Sequence, residues 1–252
     1  MEWYIYLIAI IGGFFAGIIN TLAGSGSAIT LTILTELIGL PPNVANGTNR
    51  IGVLTQGWAG SYAFYKNGKL NLQGGMPYIL PSIIGAVIGV IVAVNVSNEQ
   101  FKTAFSYLMI AMLFIILVKP KRWLRETDTT NPPALWISIP LFLTLGFYGG
   151  FIQMGMGVFY LAAMVLIAKF NIIDSNAIKT FVVAVYTILV VAIFQYKGLI
   201  EWYFGLVIAI GQTAGGWLAA TYASRYKGAD VWAYRLLVVV VIFAILKLFN
   251  IL

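Results

Sequence analysis

The chain contains no cysteine and no histidine, and charged residues make up only 9% of it. The lack of cysteine excludes disulfides, thiolate chemistry and cysteine-ligated metals. The lack of histidine removes the commonest general base, the commonest metal ligand and the usual proton switch near neutral pH. The sequence also has no phosphate-binding loop and no pair of carboxylates within one apolar run. We therefore expect no metal, no cofactor and no enzymatic activity.

Apolar sequence is what the chain has in abundance, since 61% of its residues are hydrophobic. A soluble domain carries about a quarter charged residues, so this composition indicates a protein that crosses the lipid bilayer several times. Most of the apolar runs approach the roughly 20 residues that span a bilayer as a helix. The ten runs are residues 3–22, 27–40, 44–65, 75–96, 101–118, 134–153, 157–169, 177–196, 201–222 and 231–251. We expect an all-α polytopic membrane protein of about ten transmembrane segments.

Two of these runs, 27–40 and 157–169, are too short to cross the membrane upright. About 14 residues at about 1.5 Å each reach roughly 21 Å, against a hydrocarbon thickness of about 30 Å. Each short run directly follows a glycine-rich break. Segments 2 and 7 are therefore predicted to be short broken or re-entrant helices. The sequence leaves open whether they span with a tilt or fold back, and both choices bring the chain out on the same side.

The basic residues are distributed unevenly between the two sides of the predicted membrane. Because cytoplasmic loops are enriched in Lys and Arg, the richer side is predicted to be cytoplasmic. Both termini then lie outside, and the chain is expected in the plasma or inner membrane. Loop cations also account for the formal charge of +7 without a nucleic-acid partner. The richer side receives Lys66, Lys69, Lys119, Lys121, Arg122, Arg125, Lys169, Arg225 and Lys227, and the poorer side receives Lys102, Lys197 and Lys247.

The chain divides into two similar halves at residues 119–133, the only long polar connection. Similar local sequences recur 130 residues apart, at Asn46 and Asn176 and at Gly85 and Gly215. We therefore expect a first repeat at residues 1–118, a cytoplasmic connecting loop at 119–133 and a second repeat at 134–252. Five segments per repeat is an odd number, so the two repeats must insert with opposite orientation. Inverted repeats of this kind underlie alternating access in many secondary transporters.

The glycine-rich breaks are the first candidate binding site. Two interrupted apolar segments in corresponding places of two halves are the best sequence pointer to a transporter's site. Glycine allows the backbone to approach a ligand closely, and a helix N-terminus suits an anion. The helix after the first break is predicted to be capped by Ser25 or Ser27. The alternative is tight packing of small residues, which fits Gly85/Gly89 and Gly211/Gly215 better. The candidates are Asn20, Thr21, Gly24, Ser25, Gly26 and Ser27 in the first break and Gln153, Gly155 and Gly157 in the second.

A second cluster of polar residues stands where the third and eighth segments begin. An arginine at membrane depth is costly and has a partner or a task, and its guanidinium matches the oxygens of an oxyanion. The alternative is an arginine that snorkels to the headgroups. A cation from each half beside two broken helices would form an anion site. The candidates are Asn46, Thr48, Asn49 and Arg50 in the first half and Asn176 and Lys179 in the second.

Glu36 is the one acid in the interior of a predicted span, since Glu201 only begins one. It is the candidate for carrying a coupled proton. The competing interpretation places it at the membrane interface or beside a Lys or Arg. Gln56 and Gln212 also lie within spans, where they could bond either substrate or a neighbouring helix.

Three stretches of sequence resemble the TauE/SafE sulfite-exporter family of membrane permeases. They are Ala16-Gly-Ile-Ile-Asn-Thr-Leu-Ala-Gly-Ser-Gly-Ser27, Pro41-Pro-Asn-Val-Ala-Asn-Gly-Thr-Asn-Arg50 and Gly149-Gly-Phe-Ile-Gln-Met-Gly-Met-Gly157. The resemblance covers nearly the whole chain. It implies a permease that exports sulfite, organosulfonates or related sulfur-containing anions, and it leaves open which of these is carried.

Residues and resemblance together predict alternating access at a central site built from two glycine-broken helices and flanking basic residues. Backbone N–H groups near Gly24–Ser27 and Gly155–Val158, with Arg50 and Lys179, would coordinate the small anion. The alternatives are an anion channel, an exporter of another small organic anion, and a membrane assembly protein that transports nothing. A channel would need a continuous polar stripe, and an assembly protein would need no polar cluster within the membrane. A homo-oligomer is compatible with the sequence.

Overall fold

The structure is a computed structural model, and it describes residues 3–95, 127–128, 133–151 and 153–248. Throughout these residues the regular secondary structure is helical, so the all-α prediction is confirmed. Predicted segment 5 and most of the connecting loop lie outside the described residues.

Nine helices lie within the described residues, and each corresponds to one of the predicted apolar runs. Four of them, α1, α4, α7 and α8, are long and apolar enough to cross a membrane. Helix α3 is as long as these, but it carries the polar cluster around Arg50. The helices are α1 (Trp3–Leu22), α2 (Ser27–Thr32), α3 (Pro42–Lys66), α4 (Leu72–Ala93), α5 (Leu135–Phe151), α6 (Met156–Ala162), α7 (Ile172–Tyr196), α8 (Trp202–Arg225) and α9 (Ala229–Leu248).

The helices after the two breaks, α2 and α6, are built in the same way. Helix α2 continues into a π-helical turn at Ile33–Leu37, and α6 continues into one at Ala163–Ile167. With its turn, each helix reaches only about 16–18 Å, roughly half of the hydrocarbon thickness. Both are therefore shorter than a membrane span, as the sequence predicts.

Two helix pairs pack backbone against backbone through glycine. In the first pair, a Cβ on Gly13 of α1 would lie 2.8 Å from the Ile208 carbonyl oxygen of α8, and one on Gly215 would collide with the Phe14 carbonyl. In the second pair, a Cβ on Gly85 of α4 would collide with the Leu143 carbonyl of α5. Small residues let membrane helices approach this closely. The packing interpretation of these glycines is confirmed.

The loops sort to two ends of the molecule. At one end the Arg225 Nε donates to Asn67 Oδ1 at 2.7 Å, which joins the α8–α9 loop to the α3–α4 loop. The Asp128 N–H donates to the Lys169 carbonyl at 2.9 Å at the same end. We call this the basic end, because its loops carry Lys66, Lys69, Lys169, Arg225 and Lys227. At the opposite end the Glu201 N–H donates to Thr48 Oγ1 at 2.9 Å.

Replacing Gly215 by alanine tests the glycine packing. The added methyl group meets the Phe14 carbonyl rather than a flexible side chain, so we expect a loss of about 1–3 kcal/mol in folding free energy. The measurement is the thermal unfolding midpoint of the purified protein in detergent. Ile210→Val on the exposed face of the same helix is the control. Equal midpoints for G215A and the control would contradict the packing argument.

Candidate functional site

The two breaks lie against each other. Gly24 has a φ of +82°, a conformation that costs glycine little and other residues much. A Cβ on Gly24 would lie 2.7 Å from the Val158 backbone nitrogen and would collide with Gly157. A Cβ on Gly157 would collide with the Gly24 backbone in turn. Glycine is therefore required on both sides of this contact.

Lys179 binds the end of the helix that leads into the first break. Its Nζ donates to the carbonyls of Asn20 at 2.8 Å and Thr21 at 2.9 Å. It also donates to Asn176 Oδ1 at 2.7 Å, and Asn176 Nδ2 donates to the Leu22 carbonyl at 3.0 Å. The last carbonyls of a helix have no partner within it, and they form the negative end of its dipole. Lys179 satisfies both the hydrogen bonds and the partial charge.

Arg50 does the same for the helix that leads into the second break. Its Nη1 donates to the Gly149 carbonyl at 3.0 Å and to Gln153 Oε1, and its Nη2 donates to the Gly150 carbonyl at 3.3 Å. Nη2 also lies 3.4 Å from Asn46 Oδ1. The side chain is fully buried. The alternative of an arginine that snorkels to the headgroups is therefore wrong.

The two cations form a reciprocal arrangement, which we call the crossed caps. Arg50 comes from the first half and binds α5 of the second, while Lys179 comes from the second half and binds α1 of the first. A lysine ammonium has three N–H donors, and each donor of Lys179 meets an oxygen of the protein. A buried cation is tolerated only with such compensation. Each half therefore stabilises the broken helix of the other.

A narrow central cavity lies between the breaks and helices α3 and α7. It encloses about 320 Å³ of space, including its opening. The space suffices for about one water molecule. Both halves contribute to the wall. The lining residues are Asn20, Gly24, Val53, Gln56, Gly57, Gln153, Met156, Gly157, Lys179, Thr180 and Val183.

Side-chain amides and one hydroxyl supply the neutral polar groups of this wall. The Asn20 Nδ2 donates to Gln56 Oε1 at 3.1 Å, and the Gln56 Nε2 donates to Thr21 Oγ1 at 3.0 Å. Gln153 adopts a φ of +66° and accepts from Arg50. The Thr180 hydroxyl is buried and has no hydrogen-bond partner among the described residues. It is therefore a free donor that a bound oxyanion could use.

Five of the predicted site residues line the cavity: Asn20, Gly24, Gln153, Gly157 and Lys179. The remaining residues of the breaks lie beside it. Helix α2 has Gly26 at its N-cap without a side-chain bond, so the expectation that Ser25 or Ser27 caps the helix is wrong. Both serine hydroxyls are buried without a partner in the described part of the chain. Gly155 holds the N-cap of α6 at a φ of +78°.

Several of the predicted backbone donors are already bonded locally. The N–H groups of Gly24, Met156 and Val158 donate to the carbonyls of Ile19, Gln153 and Gly155. These three N–H groups are therefore not free for an anion.

The polar cluster at the start of α3 holds helices together and does not line the cavity. Asn46 supports Arg50, and Thr48 accepts the Glu201 N–H at the start of α8. Asn49 Oδ1 accepts from Thr30 Oγ1 of α2 at 2.6 Å. Glu36 is exposed at the end of the π-helical turn and does not line the cavity.

Sequence reasoning missed Thr180 and left Gln56 undecided. Asn176, Thr180 and Val183 follow one another at helical spacing, as do Val53, Gln56 and Gly57 on α3. A polar residue three or four positions from a predicted site residue shares its helix face. Applied outward from Asn176, that spacing makes Thr180 a candidate, and the structure then places it in the wall.

Replacing Lys179 by methionine tests the crossed caps. The Asn20 and Thr21 carbonyls lose their buried donor, so we expect a loss of about 2–5 kcal/mol in stability. Lys197→Met is the matched control, because Lys197 follows the other end of the same helix and is exposed. The measurement is the unfolding midpoint by intrinsic fluorescence in detergent. If both variants unfold at the same temperature, Lys179 does not stabilise the first break.

Sequence comparison finds relatives over most of the chain. The chain is 26% identical over 245 residues to the probable membrane transporter protein ORF9 of Sinorhizobium sp., covering 97% of this chain and 93% of that protein. It is 28% identical over 209 residues to a probable membrane transporter protein of Haemophilus influenzae, covering 82% and 81%. It is 22% identical over 260 residues to the probable membrane transporter protein YunE of Bacillus subtilis, covering 94% and 95%. No solved structure gives a significant match.

The profile of one protein family, described as sulfite exporter TauE/SafE, matches residues 9–248. This range contains both breaks, both capping cations and all lining residues of the central cavity. It confirms the resemblance carried by the three sequence motifs. The chain therefore belongs to the sulfite exporter TauE/SafE family of membrane transporters.

Proposed function

We propose that this protein is a permease that exports sulfite, organosulfonates or related sulfur-containing anions from the cell. One observation carries the proposal: a central cavity lies where two broken helices meet, and a buried lysine forms part of its wall. Intramembrane cations mark ion and substrate pathways. The family description agrees with a sulfur oxyanion as the cargo.

In this proposal the two cations have different tasks. Lys179 lines the cavity and supplies the positive charge that faces the anion. Arg50 does not line the cavity, and it holds Gln153 and the end of α5 in place. Gln56, Gln153, Asn20 and Thr180 offer hydrogen bonds to the anion's oxygens. Arg50 is therefore a positioning residue rather than a ligand.

Alternating access would come from two inverted repeats that move about the contact between the breaks. The matching bounds of the elements support this architecture, because α3 and α7, and the two π-helical turns, are each separated by 130 residues. The α1–α8 and α4–α5 glycine contacts correspond to one another in the same way. The narrow cavity fits a closed state, which must widen toward one end to admit a sulfur oxyanion.

The basic end is proposed to face the cytoplasm, with both termini outside and the chain in the plasma or inner membrane. The excess of Lys and Arg in its loops supports this orientation. Export of an anion from a negative-inside cell gains about 2.3 kcal/mol per charge per 100 mV. Facilitated exit then needs no coupled proton. The position of Glu36, exposed and away from the cavity, agrees with such a mechanism.

Replacing Thr180 by valine tests the site without disturbing the crossed caps. Valine keeps the shape and removes the unpartnered hydroxyl of a residue that lines the cavity, so we expect the KM for sulfite to rise roughly tenfold. Thr187→Val is the matched control, because Thr187 lies on the same helix with a buried, unpartnered hydroxyl but does not line the cavity. The measurement is saturable sulfite efflux from proteoliposomes.

The same assay compares sulfite, sulfate, thiosulfate, sulfoacetate and taurine, and it includes exchange against unlabelled substrate. Accelerated exchange indicates alternating access, whereas a channel gives none. A T180V variant with wild-type KM for every anion would place the binding site elsewhere. If the folded protein transports none of these anions, it is not a sulfur-anion permease, and an assembly role becomes the working hypothesis.

Voltage and proton gradients separate facilitated exit from proton coupling. The substrate is a sulfonate whose charge is constant near neutral pH. We expect its efflux rate to increase as the inside is made more negative. At fixed voltage, we expect a pH gradient to leave the rate unchanged. Glu36→Gln is expected to behave like the parent protein. A rate that follows the pH gradient, and loses that dependence in E36Q, would reverse the assignment and give Glu36 the proton.

A further inference from the structure

A second pocket opens at the basic end, between the α3–α4 loop, the start of α7 and the α8–α9 loop. It encloses about 710 Å³, including its opening. Three cations, Lys69, Arg225 and Lys227, share its wall with one acid, Asp230. The excess of positive charge favours an anion, and the acid limits how much negative charge the pocket can hold.

The pocket is separate from the central cavity. The two have no lining residue in common. One apolar cluster contains Ala23 and Val158 beside the breaks together with Ile173, Ala223 and Ala229 beside the pocket. These side chains form a packed layer between the two spaces. A ligand in the second pocket would therefore be held apart from the central cavity.

Two helices begin at the pocket, and the acid in the first turn of each, Asp174 or Asp230, offsets part of the positive charge of the helix start. Asn171 lines the pocket and caps α7, where its side chain accepts the Asp174 N–H at 2.7 Å. Ala229, the first residue of α9, also lines it. The start of a helix carries a partial positive charge. Arg225 donates from its Nε to Asn67, and this bond leaves the two terminal amino groups of its guanidinium for a ligand. Such a group matches a phosphate well.

Exposed aromatic side chains place the pocket at the depth of lipid headgroups. Tyr65 near the end of α3 and Tyr226 on the pocket wall are 67% and 52% exposed, and Trp232 on α9 is 58% exposed. The Tyr226 ring stacks on Tyr222 with 4.8 Å between centroids. Tyr and Trp collect at the boundary between membrane and water. A ligand that enters here therefore comes from the leaflet that surrounds the basic end.

We propose that this pocket binds the phosphodiester headgroup of an anionic phospholipid. Basic pockets between transmembrane helices bind such headgroups. Three cations and one acid leave a positive balance that accommodates the single negative charge of a phosphodiester, and the exposed tyrosines beside the pocket favour a lipid over free phosphate. The acyl chains would lie along the exposed tyrosines. This site goes beyond the proposed transport function and does not depend on which anion the protein carries.

The test measures lipid binding to the full-length purified protein. Native mass spectrometry and thermal unfolding in detergent micelles are recorded with added phosphatidylglycerol, with phosphatidylcholine, and with inorganic phosphate. We expect phosphatidylglycerol alone to bind and to raise the unfolding midpoint. In the double variant Arg225→Gln/Lys227→Gln its binding should weaken about 30-fold. Lys66→Gln is the control, because Lys66 is exposed at the same end and does not line the pocket.

A variant that binds phosphatidylglycerol more tightly is also needed, because misfolding could explain a loss of binding but not a gain. Asp230→Asn removes the one acid of the wall, so phosphatidylglycerol should bind more tightly to D230N. Unchanged phosphatidylglycerol binding in the double variant would overturn the proposal. Competition by inorganic phosphate at equal affinity would also overturn it, because the pocket would then be a site for free phosphate. Either result would leave the proposed transport function standing, because sulfite efflux tests that function separately.

Discussion

Two buried cations allow this chain to interrupt its helices inside a membrane. Lipid cannot satisfy the carbonyls at the end of a broken helix, so each such carbonyl needs a donor from the protein. Lys179 supplies donors to the end of α1, and Arg50 supplies them to the end of α5. The exchange is reciprocal between the two halves of the sequence. Each cation is in turn stabilised by the helix end it binds, because that end carries the negative pole of the helix dipole. The breaks, the cavity and the contact between halves all depend on this exchange.

The glycines support the same arrangement by allowing close contact between backbones. Gly24 and Gly157 let the two breaks touch through their backbones, and a single methyl group on either would separate them. Farther out, the glycine contacts of α1 with α8 and of α4 with α5 bring each long helix close to its neighbour. Close backbone packing holds the helix ends where the cations can reach them. Charge and packing therefore support one another.

A cation that stabilises the fold and also borders the cavity couples structure to binding. The three donors of Lys179 meet protein oxygens, so an anion beside it would interact with a group already held in position. Preorganised charge of this kind costs little reorganisation when a ligand binds. At the basic end the cations are mostly exposed, and three of them surround an open pocket. One buried cation borders the central cavity, while several exposed cations gather at one end of the molecule.

The sequence by itself determined the helical class, the positions of the nine helices within the described residues, the two breaks and the family. It could do so because hydrophobic runs, glycine clusters and motifs are local properties of a chain. It also identified five of the residues that line the cavity. Only the tertiary structure decided that Lys179 faces the cavity while Arg50 stands behind Gln153, that Thr180 and Gln56 belong to the wall, and that Gly26 rather than a serine caps α2. These assignments depend on how each helix is rotated and on contacts between residues more than a hundred positions apart, such as Arg50 with Gln153. Local pattern contains no information on such pairs, since the donor and its carbonyl lie in different halves of the chain.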